Sequence, residues 1–298
     1  MDVSIIIVNY NTKKMTSDCI DSIIQHTSGI SYEIILVDND SKDGSVDFFK
    51  RDKRVFFISS NKNLGFGKAN NLGYKYSKGK YIFLLNSDTI LLNNAIKYFF
   101  DYFENNKDKT IACLGGYLLN ADQKIIHSLA RFPQLGLYIK NILNIYTLFF
   151  KIDLLNKEYN NSVSLTEPYY ITGADLFIKR DIIEKLGMFD EKFFMYYEET
   201  DMQKRYHNAG FNSMIIKGPK IIHFCGGSNK IKKKRTILAG SLSIYSSFIY
   251  AKKYFPIYQY YIIRILYFLL YMPKITIYPD SVKNKIKLIS ILIKSVNI

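Results

Sequence analysis

An α/β fold with a mixed, mainly parallel central sheet and a C-terminal helical extension is predicted by three features of the chain. Short, continuously apolar runs alternate with segments of helical period over the first third. Polar turns close three of those runs, and composition changes abruptly after residue 228. Unbroken apolar strands that alternate with helices mark a sheet covered on both faces, and such sheets are largely parallel.

Residues 3–8 read as the first strand, closed by the polar turn Asn9-Tyr10-Asn11. Met15, Cys19, Ile20, Ile23 and Ile24 then recur along one side of a helix over 15–25. A second strand at 34–37 ends in Asp38-Asn39-Asp40-Ser41-Lys42-Asp43-Gly44-Ser45, and a short third strand covers 55–58. A helix is expected over 67–77, and a fourth strand at 81–85 runs into Asn86-Ser87-Asp88. Beyond it come a helix over 90–103, a return to the sheet over 111–119 and a turn at 120–122. Residues 130–166 are aromatic and rich in Leu and Ile, with Pro133 and Gly136 near their start and no clear period. They read as an inserted loop or short helices near the acceptor side. Pattern returns at 169–174, with helices expected over 180–186 and from near Glu198 to Gly210. Polar residues at the carboxyl ends of parallel strands face the ligand crevice. The turns at 9–11, 38–45 and 86–88 are therefore expected to converge.

The 298 residues, 48% of them apolar, suffice for one large core without metal or disulfide support. Cys19, Cys113 and Cys225 are odd in number, far apart and form no CxxC unit, which fits small buried thiols in a reducing compartment. The opening apolar run is too short for a secretory leader or a span, so a cytoplasmic protein is expected. Residues 1–228 hold 28 Lys/Arg against 25 Asp/Glu, a net of +3, whereas residues 229–298 hold 13 against one, a net of +12. The chain accordingly divides into a catalytic body, 1–228, and a basic, apolar helical extension, 229–298.

Five groups carry candidate chemistry. Asp88, in Asn86-Ser87-Asp88, can hold a hard divalent cation against a diphosphate, although the same tripeptide also makes ordinary turns. Asp38, nearest its strand end, can accept from a uracil or thymine imide or a ribose hydroxyl; helix capping, with Ser41 and Asp43 the natural caps, is the plainer alternative for this stretch, and Asp40 and Asp43 read as structural. Asn63-Leu64-Gly65-Phe66-Gly67-Lys68-Ala69-Asn70 is a glycine-rich turn entering a helix, where close backbone approach and the helix start favour phosphate. Met195-Tyr196-Tyr197-Glu198-Glu199-Thr200-Asp201 gathers three carboxylates, one of which can serve as a general base; an acidic first helical turn is the plainer reading. His223, after an apolar run, can complete a metal site or contact phosphate, or be structural.

Taken together, these segments resemble the family 2 glycosyltransferases of bacteria and archaea, in particular their rhamnosyltransferase-like members of the GT-A fold. The resemblance spans about residues 3–228 and rests on the stretches 3–11, 37–45, 61–70, 84–88, Thr172-Gly173-Ala174 and 187–201. It implies an inverting transfer from a nucleotide sugar, with dTDP-rhamnose the first choice and UDP-galactofuranose or a UDP-hexose the alternatives. It implies a base site at Asn9, Tyr10 and Asp38, with Asn63, Gly67, Asn70, Asn86 and Ser87 also on the donor. It places Mg2+ or Mn2+ on Asp88 and His223, and the catalytic base at Glu199, with Glu198 and Asp201 in reserve. Asn86 stands where the family's DXD-like segment carries its first acid, and Ser87 replaces the proline usual in that branch. Glu199 stands where the family's base is commonly Asp.

The implied acceptor is a saccharide or lipid-linked saccharide of an envelope polysaccharide. The extension carries Ile231-Lys232-Lys233-Lys234-Arg235 and an apolar run at 260–272 bracketed by Pro256 and Pro273, shorter than a bilayer requires. It reads as an element for an anionic membrane surface on the inner face of the cell membrane. A helix packed on the body or on a homodimer partner is the competing reading. A nucleic-acid partner is not expected, because the body is nearly neutral and its strand-end turns are acidic. A noncatalytic saccharide-binding scaffold is the remaining alternative.

Overall fold

The computed structural model describes residues 1–136, 138–139, 169–224 and 237–277, with 282, 285, 286, 289 and 290. Most of the expected insertion at 130–166, Cys225, the 226–228 turn, the 228/229 boundary and the Lys232-Lys233-Lys234-Arg235 cluster lie outside the described residues.

The strands are β1 (Val3–Asn9), β2 (Tyr32–Asn39), β3 (Phe56–Ser60), β4 (Tyr81–Asn86), β5 (Thr89–Leu91), β6 (Ile111–Leu119), β7 (Leu129–Arg131), β8 (Tyr169–Ile171), β9 (Asp175–Lys179) and β10 (Asn212–His223). The described helices are α1 (Lys13–His26), α2 (Ser45–Phe49), α3 (Phe66–Tyr74), α4 (Ala95–Asn105), α5 (Arg180–Leu186), α6 (Glu198–Asn208), α7 (Ile237–Tyr254) and α8 (Ile257–Ile277). Eight strands form one sheet in the order β3-β2-β1-β4-β9-β6-β10-β5, while β7 and β8 pair separately. Neighbours from β3 to β4 are parallel, as are β6 and β10; β9 runs antiparallel to both β4 and β6, and β5 antiparallel to β10. The mixed, mainly parallel α/β sheet is thus present.

Side chains alternate across a strand, so a run apolar at every position must be covered twice. Ile5 and Ile7 pack with Cys19, Ile20 and Ile23 of α1 and with Ile96 and Phe99 of α4. Ile6, Ile35 and Leu84 face the other way, against Ala69 of α3, Ile182 of α5 and Met202 of α6. Each such buried isoleucine or leucine contributes about 1.5–3 kcal/mol.

Residues 89–91 are strand rather than the start of a helix, because they pair with β10 and Asn93 is tied there too. Its Nδ2 donates to the Gly218 carbonyl at 2.7 Å, and its Oδ1 accepts from the Lys220 N–H at 3.0 Å. Helix α4 therefore begins only at Ala95. Asp175–Lys179, which carried no expectation of strand, is the antiparallel β9 inserted between β4 and β6. Among the described residues the extension includes α7 ahead of α8, and α8 continues past Pro273, which was expected to bracket the apolar run. Ile244, Phe248 and Ala251 of α7 pack on Tyr260, Ile263 and Tyr267 of α8, while Ile249 and Tyr250 turn to Phe193 of the body.

Gly65, just before α3, has φ +82° and ψ 174°, a region essentially reserved for glycine. A Cβ there would also stand 2.1 Å from the Phe194 carbonyl oxygen. Gly65→Ala is expected to lower the unfolding free energy by at least the backbone strain, about 1–3 kcal/mol, measured by urea denaturation.

Candidate functional site

The parallel register sets Asn9 opposite Asp38 and Val8 opposite Asn86, so three strand ends share one edge of the sheet. Asn9 and Asp38 are fully buried. Asn9 Nδ2 donates to Asp38 Oδ2 at 2.6 Å and to Ser41 Oγ at 3.0 Å. Its Oδ1 accepts from the hydroxyls of Thr12 and Thr16, both at 2.8 Å. Asp38 Oδ1 takes the Ser41 N–H at 2.9 Å, and Ser41 Oγ takes the Asn11 N–H at 2.9 Å. The first two turns are therefore one hydrogen-bonded unit, beside which the Tyr10 side chain stands exposed. Asp43 accepts from the Lys13 N–H and from Ser45 at the starts of α1 and α2, while Asp40 pairs with Lys42.

The third turn joins the same unit. Thr12 Oγ1 and Ser87 Oγ lie 3.1 Å apart. The Asn86 N–H donates to the Ala174 carbonyl at 3.0 Å, which ties the turn to the end of the Thr172-Gly173-Ala174 stretch. Because Thr89 pairs with His223, the imidazole of His223 comes back over Asp88. Its Nε2 lies 3.3 Å from Asp88 Oδ1 and 3.4 Å from Asn86 Nδ2, and the Phe224 N–H donates to the Asp88 carbonyl at 3.0 Å. Among the described residues no cluster of three or more His, Cys, Asp or Glu side chains could hold a metal. A carboxylate beside an imidazole nonetheless fits a divalent ion that takes its other ligands from water and substrate phosphate.

The glycine-rich turn serves packing as well as any ligand. Asn63 Oδ1 accepts from the Gly65 N–H and from Asn39 Nδ2, which shapes the loop. A Cβ on Gly67 would meet the Cβ atoms of Phe189 at 3.1 Å and Glu198 at 3.4 Å, so its bareness lets α3 approach α6. Asn70 is buried and donates to the Phe66 carbonyl at 3.0 Å.

The acidic segment begins α6. Glu198 is buried, and its Oε2 has no hydrogen-bond partner among the described residues. Burial, and then the charge of Glu199, push the Glu198 carboxyl well above the usual range. Glu199 is half-buried, and burial raises it too against the lowering effect of backbone N–H groups. A Cβ on Gly173 would lie 3.6 Å from both the Glu199 Cβ and the Phe66 ring. Glu199 is thereby linked through Gly173 and Ala174 to the Asn86 turn. Asp201 is fully buried and fully engaged, by Arg205 at 3.1 Å, Lys253 at 2.7 Å and the Tyr254 hydroxyl at 2.8 Å. Its surroundings are those of a structural anchor.

Burial pushes the Cys19 and Cys113 thiols up to about 12, so both stay protonated, as small buried thiols should. Two open clefts of about 570 and 650 Å3 border α2 and β3 and contain none of the candidate residues. Sequence reasoning missed Thr12 and Thr16 and offered Ser41 only as a helix cap, yet all three hold the turns together. Polar residues following a strand-end Asn or Asp were the available signal.

Residues 4–187 match the family model for glycosyl transferase family 2. An uncharacterized glycosyltransferase of Methanocaldococcus jannaschii is 31% identical over 129 residues, covering 42% of this chain and 44% of that protein. A poly(ribitol-phosphate) beta-glucosyltransferase of Bacillus spizizenii is 34% identical over 123 residues, covering 39% and 19%. The chain thus matches less than half the length of either relative. The mannosyltransferase PcManGT of Pyrobaculum calidifontis, solved with GDP-Man and Mn2+, superposes with a TM-score of 0.57 at 12% identity, covering 97% of this chain and 78% of that one. With the mixed eight-stranded sheet and the family match over most of the body, the chain belongs to glycosyl transferase family 2 and has a GT-A-like fold.

Proposed function

We propose that the chain is a metal-dependent, inverting hexosyltransferase whose donor lies across the joined ends of β1, β2 and β4. The observation that carries this reading is the meeting of Asp88, His223 and Asn86 at the same sheet edge that the Asn9–Asp38 unit occupies. Asp88 and His223 would hold Mg2+ or Mn2+, which when bound neutralises the charge that develops on the departing diphosphate. Tyr10, exposed beside the buried Asn9–Asp38 pair, would lie against the nucleotide base, with Asn63, Ser87 and the start of α3 facing the phosphates. Glu199 would take the acceptor proton as the acceptor oxygen bonds to the anomeric carbon and the bond to the diphosphate breaks. Glu198 is the reserve, since Asp201 is consumed by its ion pairs.

Asn86 in the first acidic position supports dTDP-rhamnose as donor, with UDP-galactofuranose or a UDP-hexose as the alternatives. A saccharide or lipid-linked saccharide would be the acceptor. Among the described residues no helix is long and apolar enough to cross a membrane. Helix α8 nevertheless exposes Ile257, Tyr258, Tyr261, Ile265, Phe268 and Leu269 along one stripe, at helical spacing and opposite its buried Tyr260, Ile263 and Tyr267. With the net +12 of residues 229–298, that stripe supports peripheral binding of an anionic inner membrane face by the extension, with a homodimer contact as the competing use.

In a thermal-shift panel with Mn2+, dTDP-rhamnose should raise Tm more than UDP-glucose or UDP-galactofuranose, and Asp88→Asn should abolish the cation dependence. A selective shift with a UDP-sugar would reassign the donor, and no cation-dependent shift with any nucleotide sugar would remove the transferase reading of this site. Glu199→Gln should lower kcat by about 100-fold or more while leaving the donor shift intact. A base must be ionised, and burial raises Glu199, so kcat/KM of the parent should fall as pH drops through a point above the usual glutamate range. An acid limb at or below the ordinary glutamate value would assign the base elsewhere. The full chain should float with phosphatidylserine liposomes, and the double change Ile265→Asp, Phe268→Asp should reduce flotation severalfold; equal flotation would free the stripe for a dimer contact.

A further inference from the structure

The segment that delivers the acids has a backbone it cannot hold alone. Tyr196 and Tyr197 both sit at φ +69°. For bulky residues that conformation is costly and persists only where the surroundings over-determine it. Part of that restraint comes from α7, in the extension. Ser246 Oγ donates to the Met195 carbonyl at 2.8 Å, and the Tyr250 ring packs 5.6 Å from that of Tyr197. The Tyr254 hydroxyl donates to Asp201 Oδ1 at 2.8 Å. Lys253 does more than any of these, because its one ammonium spans the segment. It reaches Asp190 Oδ2 at 2.9 Å before the strained tyrosines and Asp201 Oδ1 at 2.7 Å after them.

Asp201 is fully buried, whereas its ion-pair partner Lys253 is only partly so. A buried carboxylate that loses one partner must find compensation or move. Here it sits on the first turn of α6, two residues beyond Glu199, so any movement carries the Glu199 carboxylate with it. The donor turns on β1, β2 and β4 make no described contact with Lys253, so a disturbance there should spare nucleotide binding.

We propose that Lys253 is a positioning residue for the transfer: by clamping Asp190 to Asp201 it holds the strained Tyr196-Tyr197 turn and aims Glu199 at the acceptor. The inference rests on the reading of Glu199 as base. It gives the extension a role in catalysis that is separate from any surface bound by α8.

The test compares full-length Lys253→Met, Lys253→Arg and Tyr254→Phe with the parent. Turnover is read as nucleoside diphosphate released from whichever of dTDP-rhamnose, UDP-galactofuranose and UDP-glucose the parent uses, and amide hydrogen exchange is followed over residues 190–201. Lys253→Met should lose about 10- to 100-fold in kcat, as a small misplacement of a catalytic group does, with donor KM unchanged. Exchange should rise over 190–201 and not in β1 or β4. Lys253→Arg, which keeps the charge and can still bridge, should recover most of the turnover, and Tyr254→Phe should cost less than Lys253→Met. Unchanged kcat in Lys253→Met overturns the proposal whatever the exchange shows. So does a loss shared equally by donor binding and stability that Lys253→Arg fails to recover. Glu199→Gln separates the two readings: normal turnover in that variant removes the base, while exchange at 190–201 in Lys253→Met still reports whether the clamp exists.

Discussion

The hydrogen bond from Asn9 to Asp38 joins two strand ends that the parallel register of β1 and β2 has already placed side by side. Both residues are fully buried, so each polar atom must be satisfied inside the protein. Asn9 manages this by donating to two oxygens and accepting from the side chains of Thr12 and Thr16. Thr12 in turn reaches Ser87. One asparagine thereby makes a single rigid rim out of turns that lie about 30 and 75 residues apart in the chain. The Asp88–His223 pair and the donor face proposed beside it both depend on that rim.

The strands that build the rim were legible because each carries a nearly unbroken apolar run and ends in polar residues. A sheet buried on both faces requires this pattern. The ends of β5 and α4 were not legible, since Thr89-Ile90-Leu91 has no period of its own and becomes strand only because β10 lies beside it. Strand β9 was hidden for a similar reason: a short buried run looks alike in strand and helix, and its partners β4 and β6 lie far away in sequence. Its antiparallel insertion, together with antiparallel β5 at the edge, makes the sheet mixed. At the site, the acids and His223 were visible as residue types after apolar runs. What they touch was not, because the link between His223 and Asn86 spans 137 residues. Gly67 and Asn70 also serve the fold itself, through the close approach of α3 to α6 and a bond within the helix, which the motif alone did not reveal.

The extension is bound into the body more closely than its composition suggests. A basic, aromatic tail points first to a surface outside the protein, and α8 retains an exposed apolar stripe consistent with that use. Helix α7 turns inward instead. Its tyrosines, Ser246 and Lys253 meet the segment from Asp190 to Asp201, whose positive-φ tyrosines precede the first turn of α6. The strained acid-bearing loop and the helix that restrains it thus lie on separate segments, with contacts that span 51 to 63 residues of sequence. Lys253 carried no signal that would distinguish it from the other cations of the tail.

A crystal structure of the full chain with Mn2+ and dTDP tests the shared rim most directly. An anomalous manganese peak between Asp88 and His223, with the thymine ring beside Tyr10 and the 38–41 turn, is the expected result. Manganese and nucleotide bound away from these strand ends, with Asn9, Asp38 and Asp88 untouched, would contradict it.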